Sequence, residues 1–336
     1  PDVFCCALLN AQPMGFYAPA QIVRDARDHG IEIRPVDVNR SRWDSTLEPV
    51  GDRHLAVRLG LRMAKGLSEA DGVAIVLKRG EHPYATIEDL SRRAGVPTAA
   101  LERLAEADAF RSMGAERRDA IWAIRALRDI TLPLFATSEN IVEQTIALAP
   151  MRPGRTVVED YGSVGLSLRQ HPIAFVREDL ARQGMTTCAE LEQLHDGRRV
   201  IVPGLVLVRQ KPGSAKGVMF ITLEDETGIA NLIVWPSIFE RQRRLVLTSS
   251  MMAAHGKVQK ESGVTHVIVE KLVDLSGLLR QVGERDEPVI LPTGRGDEAR
   301  HGGSPDVRQK PVHKPRDIYS PERLSNGIKV QTRDFR

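Results

Sequence analysis

The sequence predicts a mixed α+β chain of more than one domain: a helical first half, then a five-stranded β-barrel, then a polar tail. Three observations lead there. Up to residue 196, apolar residues recur mostly at helical spacing between Gly and Pro breaks. After Gly197 the apolar period changes to two, and from about residue 280 Pro, Gly, Arg and Lys dominate.

The bulk properties bound the answer. A length of 336 residues gives room for about two domains, each with its own core. A hydrophobic content of 42% and a charged content of 27% are ordinary for a soluble protein. The net charge of +3 is compatible with a polyanionic partner without implying one, because 47 Lys and Arg face 44 Asp and Glu. The three cysteines, Cys5, Cys6 and Cys188, form no CxxC pair and suit the reducing cytoplasm, where the chain is expected to work. No signal-peptide pattern and no apolar run long enough for a membrane is present, so no membrane partner is expected. Pro1 stands where Met would begin a gene product, and the chain is therefore expected to be a fragment.

The first helix expected is the one carrying Ile22, Val23 and Ala26, closed by Gly30; Ile31, Ile33, Val36 and Val38 then alternate as in a strand. Residues 52 to 130 are expected to be mostly helical, broken at Gly66, Gly80 to Pro83 and Gly95 to Pro97, with Thr98 as a helix N-cap. Two further helices are expected at 173–183 and 187–194.

Within this half, RLGLRMAKGLSEADGVAIVLKR has the outline of a helix-hairpin-helix: a helix ending at Lys65, the turn Gly66-Leu67-Ser68, and a second helix from Glu69. Such a turn exposes backbone N–H groups at a helix N-terminus, where one DNA phosphate docks without base readout. Lys65, Gly66, Leu67 and Ser68 are the candidate residues, although Ser68 stands where a second Gly is usual. An ordinary αα-turn with Leu67 buried between helices fits the same residues.

Beyond Gly197, RVIVPGLVLVRQK, GVMFITLED, ANLIVW, MMAAHGKVQ and THVIVEKLV read as five strands, with a short helical insert, SIFERQRRL, between the third and fourth. That order is the order of an oligonucleotide-binding (OB) barrel. If Met219, Ile221 and Leu223 face the core, Val218, Phe220 and Thr222 share the groove face, where Phe220 can stack a base. Asn231 belongs to that surface, and Arg209, Lys211 and Lys216 flank the first loop as candidate phosphate contacts. A register one residue out places Phe220 in the core instead. Trp235, before Pro236, reads as a packing residue at a strand end. Glu224, Asp225 and Glu226 read as a turn with Thr227 and Gly228 rather than a metal site, and no zinc, P-loop, Rossmann or GxSxG pattern occurs.

Taken together, LLNAQPMGFYAPAQIVRDARDHGIEIRPVDVN, RLGLRMAKGL, LAEADAFRSMG, KPGSAKGVMFITLEDETGIANLIVW and the closing TRDFR resemble the C-terminal part of bacterial C-family DNA polymerases, the alpha-subunit class, and most closely its error-prone branch. The resemblance divides the chain into the end of a fingers domain (1–50), a helix-hairpin-helix domain (51–130), a connecting helical segment (131–196), an OB domain (197–278) and a basic tail expected to be disordered (279–336). It implies templated nucleotidyl transfer by metal ions on palm aspartates, in damage tolerance, translesion synthesis, repair and replication. Nothing in 1–336 matches those aspartates, so no catalytic residue and no cofactor are expected here, and Mg2+ only for the parent polymerase. Implied partners are single-stranded template, duplex phosphates and an accessory protein; Leu132, Pro133, Leu134 and Phe135 resemble the apolar half of a sliding-clamp peptide, without its leading Gln. Two alternatives stay open: a stand-alone single-strand-binding adaptor, and a tRNA-binding appendage, since FITLEDETGIAN also resembles the anticodon-binding barrel of some aminoacyl-tRNA synthetases.

Overall fold

The computed structural model describes residues 1–14, 17–51, 54–127, 149–261 and 263–283, and the backbone of 333–335. It divides into two units, Pro1–Arg169 and Gln170–Arg336.

In the first unit, α1 (Asp2–Asn10) buries Cys5, Cys6 and Leu9, and burial pushes the Cys5 thiol up to about 11. Helix α2 (Pro19–Asp28) starts with Pro at its first turn, buries Ile22, Val23 and Ala26, and ends just before Gly30 at φ 78°. Strand β1 is confined to Ile33–Arg34; it pairs parallel with β3 (His54–Arg58), which pairs antiparallel with β2 (Thr46–Val50). This sheet corrects the expectation of helix across the start of the 52–130 stretch. Ala56, Val57 and Arg58 are buried at the end of β3, and Leu59, Leu61 and Met63 carry the buried run on into a one-turn helical segment at Leu61–Met63. Gly60 permits the tightest approach there: a Cβ at that position would lie 2.3 Å from the Trp43 carbonyl oxygen. Glu48 on β2 accepts from Arg58 at 2.8 Å and Arg34 at 2.6 Å, which hold its carboxyl at about 2 against the opposing effect of burial.

The helices α3 (Glu69–Arg79), α4 (Ile87–Ala94), α5 (Thr98–Glu106) and α6 (Arg117–Ala126) then pack around Ile75, Leu90, Leu101, Leu104, Phe110 and Ile124, all at most 1% exposed. Helix α7 (Pro153–Ser163) is tied to α6 by the buried pair Arg117–Asp160 at 2.5 Å. The clamp-like segment 131–135 lies outside the described residues.

The second unit opens with a single-turn helical segment (Pro172–Val176), α8 (Arg177–Arg182) and α9 (Cys188–Gln193), where Thr187 and Glu190 form a reciprocal capping box. The barrel comes next: β4 (Arg199–Gln210), β5 (Met219–Glu224), β6 (Ile229–Val234), β7 (Met251–Glu261) and β8 (Val264–Asp274), with α10 (Pro236–Arg241) and α11 (Arg243–Thr248) between β6 and β7. The strand order is β5-β6-β8-β7-β4, and β4 returns to β5 to close the barrel; β6 and β8 are parallel, the other pairs antiparallel. That is OB topology. Two glycines make closure possible. Gly204 sits where β4 passes from β7 to β5, and a Cβ there would lie 2.6 Å from the Leu223 Cβ; at Gly256, beside the β7 bulge, it would lie 2.2 Å from the Ile268 carbonyl oxygen.

The acidic trio forms the expected turn, and Asp225 knots it to the preceding helices. Asp225, 0% exposed, accepts from the N–H groups of Thr227 (2.8 Å), Gly228 (3.1 Å) and Cys188 (2.9 Å), from the Thr227 hydroxyl (2.6 Å) and from Arg177 (2.9 Å). Burial alone would raise its carboxyl, but the Thr227 hydroxyl, these N–H donors and the Arg177 charge together hold it below the usual carboxylate range. Near the C-terminus β9 (Arg333–Phe335) pairs parallel with Val208–Gln210 of β4, while 284–332 lie outside the described residues. Helix α12 (Ser276–Leu279) succeeds β8.

Removing the carboxylate leaves the buried Cys188 N–H and the Thr227 and Gly228 N–H groups without their acceptor, while Arg177 keeps Glu226 as a partner. Asp225→Ala should therefore lower unfolding stability by about 1–3 kcal/mol, the cost of buried donors left unsatisfied, in urea titrations followed by far-UV circular dichroism. Because the folded pKa is depressed, Asp225 stabilises fully above its unfolded pKa of about 3.9 and the contribution fades as pH falls through the lower folded value. The deficit of the variant should accordingly shrink toward low pH.

Candidate nucleic-acid interfaces

The hairpin at Gly66 is built differently from its sequence outline. A one-turn segment (Leu61–Met63) replaces the first helix, Gly66 takes φ 82°, and Leu67 is buried at 8% exposure. Lys65 donates to the Tyr161 and Gly162 carbonyls at 2.7 and 3.1 Å, neutralising the negative end of α7. Ser68 caps its own helix, accepting from the Asp71 N–H at 3.1 Å and donating to the Asp71 carboxylate at 2.6 Å. Glu69 and Asp71 occupy the first turn of α3. An approaching phosphate would meet two carboxylates and a filled cap, so the geometry turns Lys65 and Ser68 inward rather than toward an anion.

A second hairpin, which sequence reasoning treated only as a break, has the opposite character. Between α4 and α5, Gly95 is left-handed at φ 65°, Val96 is buried at 7%, and Pro97 rather than Thr98 is the N-cap. Pro97 supplies no side-chain cap and α5 has no acid in its first turn. The Ala100 and Leu101 N–H groups turn back to the Pro97 carbonyl, which leaves the Thr98 and Ala99 N–H groups at an open helix end. The signal was available: Gly95-Val96-Pro97 repeats the Gly-hydrophobic pattern of Gly66-Leu67-Ser68, but without the capping Ser and the acids.

On the barrel, the expected face of β5 is the observed one. Met219, Ile221 and Leu223 are buried; Phe220 is 36% exposed and Thr222 half-buried beside it. Cross-strand register carries this face around the barrel. Phe220 pairs with Ile233, Ile233 with Ile268, Ile268 with Lys257, and Lys257 with Arg199. A second row runs Thr222, Asn231, His266, Gln259, and the Thr222 hydroxyl lies 3.3 Å from the Asn231 amide oxygen. The His266 Nδ1 in this row is shut off from solvent without a hydrogen-bond partner. Among the described residues, then, the face joins Phe220 and Asn231 and adds Ile233, Ile268, His266, Lys257 and Arg199, which sequence reasoning did not single out.

The three flanking cations divide. Arg209 is a correction: it is 2% exposed, with its guanidinium donating to the Val246 carbonyl at 2.5 Å and to the Ser249 carbonyl, so it braces α11 against β4. Lys211 lies 4.4 Å over the Phe239 ring, a cation–π contact, with Arg243 at 5.8 Å from the same ring. Lys216 is exposed in the loop at φ 49°. Trp235 is 50% exposed at the N-cap of α10, more open than a packing residue.

Among the described residues no three His, Cys, Asp or Glu side chains converge on a site for a metal ion, and no helix is long and apolar enough to cross a membrane.

Known proteins match in the same two places. A family model described as a helix-hairpin-helix motif matches residues 30–120, and one described as an OB-fold nucleic acid binding domain matches 197–275. The error-prone DNA polymerase 3 of Agrobacterium fabrum is 56% identical over 100% of this chain and 32% of its own length. The error-prone DNA polymerase 2 of Rhizobium meliloti is 54% identical over the same shares, and the error-prone DNA polymerase of Allorhizobium ampelinum 58% identical over 96% and 30%. A solved asparaginyl-tRNA synthetase from Pyrococcus horikoshii is 23% identical over 27% of this chain and 23% of its own, with a TM-score of 0.24. The chain thus belongs to the bacterial error-prone DNA polymerases, carries helix-hairpin-helix and OB nucleic-acid-binding domains, and spans about a third of the length of the curated relatives it matches.

Proposed function

We propose that this chain is the DNA-holding part of an error-prone polymerase, taking single-stranded template on the barrel face and duplex phosphates at the Gly95 hairpin. Templated nucleotidyl transfer, with its Mg2+, belongs to the parent polypeptide, and the work is replication past damage: translesion synthesis and repair in the cytoplasm, with an accessory protein for recruitment. The observation that carries the reading is Phe220. A large aromatic left 36% exposed on a half-buried strand face, opposite apolar Ile233 and beside the Thr222–Asn231 pair, matches the way single-strand binders stack bases. The uncapped end of α5 supports the duplex half, since it offers free N–H groups and a positive dipole end to a phosphate.

Phe220→Ala should weaken binding of single-stranded DNA by about 1–3 kcal/mol in fluorescence anisotropy while leaving the melting temperature in place. An unchanged affinity with an intact fold removes the reading. At the hairpin, Ala99→Asp adds a carboxylate to the open first turn. It should stabilise the unit by roughly 0.3–1 kcal/mol and yet lower duplex affinity, a pairing of signs that damage to the fold would not produce. With Mg2+ and all four deoxynucleotides supplied, the chain alone should leave a primed template unextended on a denaturing gel; extension would locate catalytic residues within it.

A further inference from the structure

We propose that one DNA strand crosses the barrel along the row Phe220, Ile233, Ile268, Lys257, Arg199, with bases on its apolar end and phosphates at its cationic end. The inference rests on the reading of the barrel as a single-strand binder and adds the path, its polarity and the residues that carry it.

The path comes from register. Directly opposed residues on neighbouring strands share a face, so the chain of pairings Phe220–Ile233–Ile268–Lys257–Arg199 is one continuous line perpendicular to the strands. All five lie outside the barrel core, whose inward set is Met219, Ile221, Leu232, Val258, Val267 and Val200 on the same strands. The line crosses five strands at 4.7–4.9 Å spacing, a span of about 19 Å. That is room for roughly four nucleotides, at the lower end of what a barrel of this type holds.

Chemistry changes along the line. Phe220, Ile233 and Ile268 form an apolar floor on β5, β6 and β8. Lys257 and Arg199 continue it on β7 and β4, with side chains 51% and 77% exposed. Among the described residues their acidic neighbour is Glu270, at 3.9 and 4.0 Å, in loose contacts on an exposed surface that a phosphate can replace. The parallel row Thr222, Asn231, His266, Gln259 is polar throughout and borders the apolar floor on one side. An apolar stretch that ends in two solvated cations matches a strand that stacks its bases at one end and delivers its backbone to the other. A protein partner would be expected to want the charge at the rim all round rather than at one end.

The test separates the path from the broader reading. Oligothymidylate strands of increasing length are titrated with the full chain at several salt concentrations, and the slope of log K against log salt is recorded for each variant. Phe220→Ala and Ile268→Thr should weaken binding at every salt with the slope unchanged. Lys257→Ala and Arg199→Ala should each flatten the slope by about 0.7, the value for one lost phosphate contact on a single strand. Arg244→Ala, an equal charge change on the exposed side of α11, should leave the slope as it is. Affinity should stop rising steeply with length beyond roughly four nucleotides. If Phe220→Ala weakens binding but the Lys257 and Arg199 slopes match the parent, the path is wrong and single-strand binding by the barrel stands. If none of the four variants differs from the parent and each retains its melting temperature, both fall.

Discussion

The binding face depends on strand register. Side chains alternate with a period of two, so a slip of one residue along β5 would bury Phe220 and expose Met219, Ile221 and Leu223. Three features of the sequence hold that register. Asp225 gathers the β5–β6 turn and ties it to Arg177 and the start of α9, so the turn has no freedom to migrate. Gly204 and Gly256 each sit where backbone or side chain from the next strand leaves no space for a Cβ, which fixes the two places at which the sheet bends. A buried ion pair is weak evidence for stability, because desolvation offsets much of the attraction. Its value here is positional: five donors converge on one carboxylate, and only one pairing of β5 with β6 satisfies them all.

The helical unit shows how similar turns acquire different uses. Gly66-Leu67-Ser68 and Gly95-Val96-Pro97 each place a left-handed glycine and a buried hydrophobic residue before a helix. The residues at the start of that helix decide the electrostatics. Ser68, Glu69 and Asp71 satisfy the helix end internally and surround it with negative charge, whereas Pro97, Thr98 and Ala99 leave it open. The first turn serves packing, with Lys65 closing the C-terminal end of α7. The second is the one with an unspent dipole.

Much of the barrel was legible because β5 and β6 alternate between clear turn residues, and Phe220 with Asn231 came from that alternation together with the resemblance to the synthetase anticodon-binding barrel. The helical unit was less so. Strand β3 ends at Arg58 and gives way to a one-turn helix at Leu61–Met63, and the apolar residues Val57, Leu59, Leu61 and Met63 span too few positions for either period to decide locally. The Gly95 hairpin was legible in principle, since its missing cap and missing acids are in the sequence. Arg209 was not. Its burial depends on carbonyls of Val246 and Ser249, 37 and 40 residues further on, which no local pattern announces. Likewise Lys257 and Arg199 become part of one face only through pairings with strands distant in sequence.

The fate of the arginines explains why net charge is a poor guide to where this chain meets a polyanion. Arg58 and Arg34 are committed to Glu48, Arg117 to Asp160, Arg177 to Asp225 and Glu226, and Arg93 to four carbonyls around the end of α3 while it stacks on Tyr84. A guanidinium with its planar set of donors is suited to such work, and each one so used is withdrawn from solvent. The cations left for a phosphate are those that no carboxylate or carbonyl holds closely, and on the barrel these include Lys257 and Arg199 at the end of the apolar row. A small excess of positive charge over the whole chain therefore coexists with a locally cationic path, because these arginines are taken up in holding the fold that displays Lys257 and Arg199.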